Sequence, residues 1–143
     1  MNLNSWAIKW GVSLAAVADL RQELGLEGHT TDLVSEAGVQ KAVRLEAARM
    51  GVVLWRNNNG AYQDDQGNWV RYGLANDSKQ MNQNIKSSDL IGIRPGGQFV
   101  AREIKKPGWR YTGTQREQAQ LKFITLVLTM GGDAGFASGE GTL

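Results

Sequence analysis

The chain has 143 residues, a formal net charge of +2, one histidine and no cysteine. Its length suits one domain with a small appendage, and 41% apolar and 21% charged residues are ordinary for a globular core. The missing cysteine excludes disulfides, zinc–thiolate sites and a thiol nucleophile. The lone His29 excludes histidine-rich zinc sites and argues against a Ser-His-Asp triad.

Residues 5–24 read as two short helices. Trp6 to Trp10 make the first, Gly11 and Val12 a turn, and Ser13 an N-cap for the second. In the second, Leu14, Val17, Leu20 and Leu24 share one face at helical spacing. This arm, residues 1–32, reads either as half of a helix-turn-helix or as an amphipathic element that packs on the core or on another subunit. Residues 1–35 carry two basic and four acidic side chains, a balance that favours packing over groove reading.

Residues 25–32 read as a linker containing His29, a surface residue on this reading. The spacing then predicts a helix over 33–50 that buries Val39, Val43, Ala47 and Met50, with Glu36, Gln40 and Arg44 on a neighbouring stripe. Gly51 suits the residue after a helix end, and 52–56 is a strand. Asn57, Asn58, Asn59 and Gly60 form a turn, with a second strand or hairpin around 69–72. The polar stretch 75–88 lacks periodicity and reads as a loop leading to Asp89, either contacting substrate or forming a surface insertion. Strands over 89–94 and 99–105 flank Pro95-Gly96-Gly97. A helix over 114–130 follows, and its half from Phe123 to Leu128 is apolar almost all round, which predicts burial on every side. Gly131-Gly132 stops it, a strand spans 134–138, and 139–143 is a tail.

No basic segment followed by an apolar stretch opens the chain, and the apolar run 123–130 falls well short of the ~20 residues that span a bilayer. A cytoplasmic protein without membrane partners is expected.

Strand side chains alternate faces, so Glu103 and Lys105 point into one space, and Asp89 begins the partner strand across from them. Two carboxylates, a backbone carbonyl such as that of Ile104, and water make an oxygen-only site of the kind Mg²⁺ or Mn²⁺ prefers. Glu36 is placed to complete the shell directly or through water. Metal in such a site lowers the pKa of a bound water, and Lys105 orients that water or stabilises charge on a phosphoryl group. A lone Glu-x-Lys on a strand is most often a solvated face. Here it lies in a segment, 86–122, with eight basic and three acidic residues, two of the acids being Asp89 and Glu103. That charge points to a polyanion. Arg56, Asn57, Lys86, Lys106 and Arg110 are the expected phosphate contacts.

Glu36-x-x-x-Gln40, Trp55-Arg56-Asn57-Asn58-x-Gly60, Ser88-Asp89-Leu90-Ile91-Gly92, Glu103-Ile104-Lys105, Gln120-x-x-Phe123-Ile124 and Gly131-Gly132-x-Ala134-Gly135 occur in that order. Together they resemble the VRR-NUC domain, a virus-type replication-repair nuclease of the PD-(D/E)XK superfamily, over residues 33–138. The resemblance implies an α/β fold with a restriction-endonuclease-like core, a mixed sheet flanked by helices, here preceded by the helical arm. It implies Asp89 and Glu103 as metal ligands, Lys105 as the catalytic lysine, and Glu36 and Gln120 as the helix-borne acid and glutamine. Small stand-alone members are typically phage or bacterial and similar to homodimeric enzymes that cut branched DNA such as Holliday junctions. The expectation is a Mg²⁺- or Mn²⁺-dependent endonuclease of that kind, in the host cytoplasm if phage-encoded. The alternatives are a monomeric flap or nicking nuclease and a non-cleaving DNA-binding accessory protein. In this family a glycine or proline often precedes the aspartate, where this chain has Ser87-Ser88.

Overall fold

A computed structural model describes residues 3–23, 35–139 and 141–143. The expected 25–32 linker with His29, the helix start at Leu33 and the stripe residue Leu24 lie outside the described residues. In chain order the elements are α1 (Leu3–Trp10), α2 (Leu14–Glu23), α3 (Glu36–Arg49), β1 (Val53–Arg56), β2 (Gly60–Gln63), β3 (Trp69–Tyr72), α4 (Lys79–Asn84), β4 (Leu90–Ile93), β5 (Phe99–Ile104), α5 (Gln115–Thr129) and β6 (Asp133–Ala137).

The arm is two helices, as expected. The Ser13 hydroxyl accepts the Ala16 N–H at 3.1 Å, capping α2. Ala7 and Val17 are buried, whereas Leu20 is 43% exposed, so the predicted stripe is only partly inside. Helix α2 packs against α3. In α3 the Ser35 hydroxyl accepts the Gly38 N–H, Val39, Val43 and Ala47 are buried, and Met50 at the C-cap is exposed rather than buried. Gly51 turns the chain with φ +72°, a conformation that favours glycine.

The main sheet has the order β1-β4-β5-β6 and is mixed. Strand β4 pairs antiparallel with both β1 and β5, and β6 pairs parallel with β5. A parallel pair needs a crossover, and α5 is that crossover. The strand alternation divides the core in two. Leu54, Leu90, Val100, Ile104 and Ala137 face Val39, Val43 and Ala47 of α3. Ala101, Ile91 and Ala134 pack with Phe123 and Val127 of α5, joined by Ala75 and Ile85. Each fully buried aliphatic side chain contributes about 1.5–3 kcal/mol. Gly92 lets β1 approach: a Cβ there would lie 1.7 Å from the Val53 carbonyl oxygen.

Three elements depart from the sequence reading. Strand β2 begins at Gly60, where only a turn is expected, and pairs with β3 as a separate two-stranded sheet. Helix α4 forms within the stretch expected to be loop; the Ser78 hydroxyl accepts the Met81 N–H and the helix packs on α5. In α5, Phe123, Ile124 and Val127 are buried, but Leu126 and Leu128 are 45% and 51% exposed. The helix covers one face of the sheet, so burial selects one stripe and leaves the outer side open. The C-terminal tail is docked: Leu143 packs against the α3 side of the core, and the Gly141 N–H donates to Glu46 at 3.0 Å.

Candidate active site

The β4–β5 register, extended by one residue beyond the Leu90–Arg102 pair, sets Asp89 opposite Glu103. Two backbone contacts hold Asp89 there. Its Oδ2 accepts the Ile104 N–H at 2.9 Å, and its carbonyl accepts the Asn57 N–H at 2.8 Å. Glu103 lies on the α5 side of β5 and is 4% exposed. Gln120 reaches it from α5: the Gln120 amide donates to Glu103 Oε1 at 2.5 Å, and its Oε1 accepts from Lys105 Nζ at 2.9 Å. Lys105 Nζ itself is 3.9 Å from Glu103 Oε1. Capping fixes the helix that carries Gln120. The Thr114 hydroxyl accepts the Glu117 N–H, and the Glu117 carboxylate accepts from the Thr112 N–H and hydroxyl.

Lys105 is held from behind by aromatic rings. Its Nζ is 5.2 Å from the centre of Trp109 and 5.8 Å from that of Phe136, distances at which a ring face attracts a cation. Burial, and then the neighbouring Asp89 carboxylate, push the Glu103 carboxyl up to about 8, against the opposing pull of Lys105.

Asp89 and Glu103 open onto a polar cleft of about 290 Å³, also lined by Asn57, Asn59, Arg71, Asn76, Lys86, Arg116 and Gln120. Three of these are cations. Burial, then repulsion from Arg116 and Arg71, lowers the Lys86 ammonium from the usual lysine range. Like charges gathered this way suit an anion better than they suit each other. Asparagines frame the cleft. Asn57 and Asn59 both donate to the Ser87 hydroxyl, at 2.8 and 2.6 Å, and that hydroxyl donates to the Leu74 carbonyl. Asn76, 2% exposed, donates to the carbonyls of Gly60 and Tyr72 and accepts from Arg71. The hairpin is thereby tied to the segment that leads into Asp89.

Of the residues expected from sequence, Asp89, Glu103, Gln120, Asn57 and Lys86 line the cleft, and Lys105 stands behind it, bonded to Gln120. Glu36 does not join them. It is exposed at the start of α3, which covers the sheet face opposite to the one Glu103 takes, and no third His, Cys, Asp or Glu groups with Asp89 and Glu103 among the described residues. Arg56, Lys106 and Arg110 are exposed and outside the cleft lining. Arg71, Arg116, Asn76, Trp109 and Phe136 are site or supporting residues that sequence spacing alone does not single out; the run of asparagines before and after the hairpin is the one visible signal.

The donor set fits a hard divalent cation. Mg²⁺ commonly takes one or two carboxylates and fills its shell with water and phosphate oxygens, and here two carboxylates meet beside cations. The Ile104 main chain is adjacent, held by its N–H to Asp89. A second groove of about 320 Å³, along Tyr111, Gln118, Leu121, Lys122 and Thr125 on α5, has no carboxylate in its lining. No helix among the described residues is long and apolar enough to cross a membrane. Comparison of the chain with protein-family models, curated proteins and solved structures gave no match.

Proposed function

We propose that this protein is a Mg²⁺- or Mn²⁺-dependent DNA endonuclease, with branched DNA such as a four-way junction as substrate and a homodimer as the working form. The observation that carries the reading is Asp89 set opposite Glu103 in a cleft edged by Arg71, Lys86 and Arg116. The motif resemblance to the VRR-NUC domain supports it, and a mixed sheet flanked by helices is what a PD-(D/E)XK core requires.

A divalent cation held by Asp89 and Glu103 would supply an acidic water and charge for the phosphoryl oxygens. The chain's own residues do the rest. Gln120 and Lys105 hold the Glu103 carboxylate in one orientation and keep positive charge next to it. Arg71, Lys86 and Arg116 hold phosphates along the cleft, a salt-dependent contact without base preference. A twofold dimer suits a four-way junction because two equivalent sites meet two equivalent strands.

Labelled junction, flap and duplex DNA incubated with Mg²⁺, Mn²⁺ or EDTA test this reading. Metal-dependent products that vanish in Glu103→Ala are expected, with junction DNA cut in preference to duplex. Absence of product with either metal, or a fully active Glu103→Ala, would overturn it. Subunit counting by light scattering with junction DNA checks the dimer.

A further inference from the structure

The cleft reading uses Arg71 of the β2–β3 hairpin and leaves the outer end of the hairpin without a role. Its residues pair Gly60 with Tyr72, Ala61 with Arg71, Tyr62 with Val70 and Gln63 with Trp69. Alternation therefore gives it two faces. Gly60, Tyr62, Val70 and Tyr72 share one. Ala61, Gln63, Trp69 and Arg71 share the other, and this is the face that carries the cleft residues Ala61 and Arg71. Trp69 stands two residues outward from Arg71, about 7 Å along the strand. It is 68% exposed. Of the hairpin's three exposed rings, Tyr62, Trp69 and Tyr72, Trp69 is the one on the face that carries Arg71.

We propose that the hairpin is a base-stacking platform, in which Trp69 stacks an unpaired nucleobase of the strand whose phosphates run along Arg71, Lys86 and Arg116. Two features select this occupant. Three cations on the adjoining wall complement a phosphate backbone. Arg71 is not free to swing away, since its guanidinium donates to Asn76 Oδ1 at 2.8 and 3.2 Å and to the Asn76 carbonyl at 3.3 Å. Asn76 in turn grips both hairpin strands, so ring and guanidinium keep a fixed spacing. Every base offers a π-face, so the platform selects for an unpaired base and not for its identity. The inference rests on the polynucleotide reading of the cleft and narrows it. Within branched DNA, the platform favours molecules that present an unpaired base beside the duplex over fully paired ones.

The test is equilibrium binding in EDTA, by fluorescence anisotropy, of a labelled duplex with a short single-stranded tail and of the same duplex blunt-ended. The wild-type protein favours the tailed DNA. Trp69→Ala and Trp69→Gln lower that preference about tenfold, the effect of losing one base–aromatic stack, and Trp69→Phe keeps most of it. A wild-type protein without preference, or a preference intact in both non-aromatic variants, overturns the platform. Cleavage of the same DNAs in Mg²⁺ separates the two readings. No cleavage with a Trp69-dependent preference overturns the nuclease and sustains the platform. Cleavage with an unchanged preference in the variants overturns the platform alone.

Discussion

Glu103 is a carboxylic acid in a place where burial and the Asp89 carboxylate both disfavour its ionised form. The consequence for stability has a definite sign. In the unfolded chain the group titrates near its ordinary 4.5, and in the fold at about 8. Below 4.5 both states hold the proton and the stabilising contribution is complete. Between 4.5 and 8 the unfolded chain releases the proton first, and the contribution is lost as pH rises. Glu103→Gln stays neutral throughout. It should match the wild-type protein near pH 4.5 and become the more stable of the two by about 2–5 kcal/mol above pH 8. Urea unfolding in EDTA across that range checks this; a gap that does not widen with pH would contradict it. At this scale Asp89, Glu103 and Lys105 are legible in the sequence, because a two-residue period decides which side chains share a face. Gln120 enters through the motif resemblance alone, and in the fold it is buried on the same side of α5 as Ile124 and Val127. Glu36 is not legible, because helical period shows which residues share a stripe but not which face of a sheet the helix will cover.

Elements show where sequence pattern loses its grip. Helix α4 is six residues, Lys-Gln-Met-Asn-Gln-Asn, with none buried, so it has no apolar stripe to read and only Ser78 marks its start. It still matters for the site, because its Asn82 accepts from Lys86 Nζ at 2.5 Å. Strand β2 is hidden for a similar reason: Gly60, Ala61, Tyr62 and Gln63 include no buried residue. The β1–β4 pair is better specified, and Gly92 shows how tightly. A methyl group there would meet the Val53 carbonyl oxygen at 1.7 Å and force the two strands apart. Gly92→Ala should cost about 3 kcal/mol in thermal or urea unfolding, since neither backbone has room to yield. A variant as stable as the wild-type protein would show that β1 slides freely on β4.

At the scale of the whole molecule, charge is the property that sequence order hides least and places worst. The excess of basic residues in 86–122 is plain from counting, yet Lys106 and Arg110 lie outside the cleft while Arg71, from well before that segment, lines it. Folding brings the hairpin and α5 to the same opening, and no local pattern announces that meeting. The three cations should make DNA affinity fall with salt at a log–log slope of about −3, and Lys86→Gln should reduce the slope by about one. Anisotropy titrations over a series of salt concentrations measure both values. A slope unchanged in Lys86→Gln would take that lysine off the phosphate path.

The hairpin of β4 and β5 has a kinetic meaning as well. Among the pairings of the main sheet it closes the shortest loop, from Ile93 to Phe99, whereas β1–β4 and β5–β6 each span a helix. Loop-closure entropy is therefore smallest where Asp89 meets Glu103. The two acids belong to one continuous segment, 89–104, whose two strands pair with each other across the shortest connection in the sheet. Their mutual geometry is a local property of the chain, while Gln120, Arg71 and Arg116 join it only when distant segments dock.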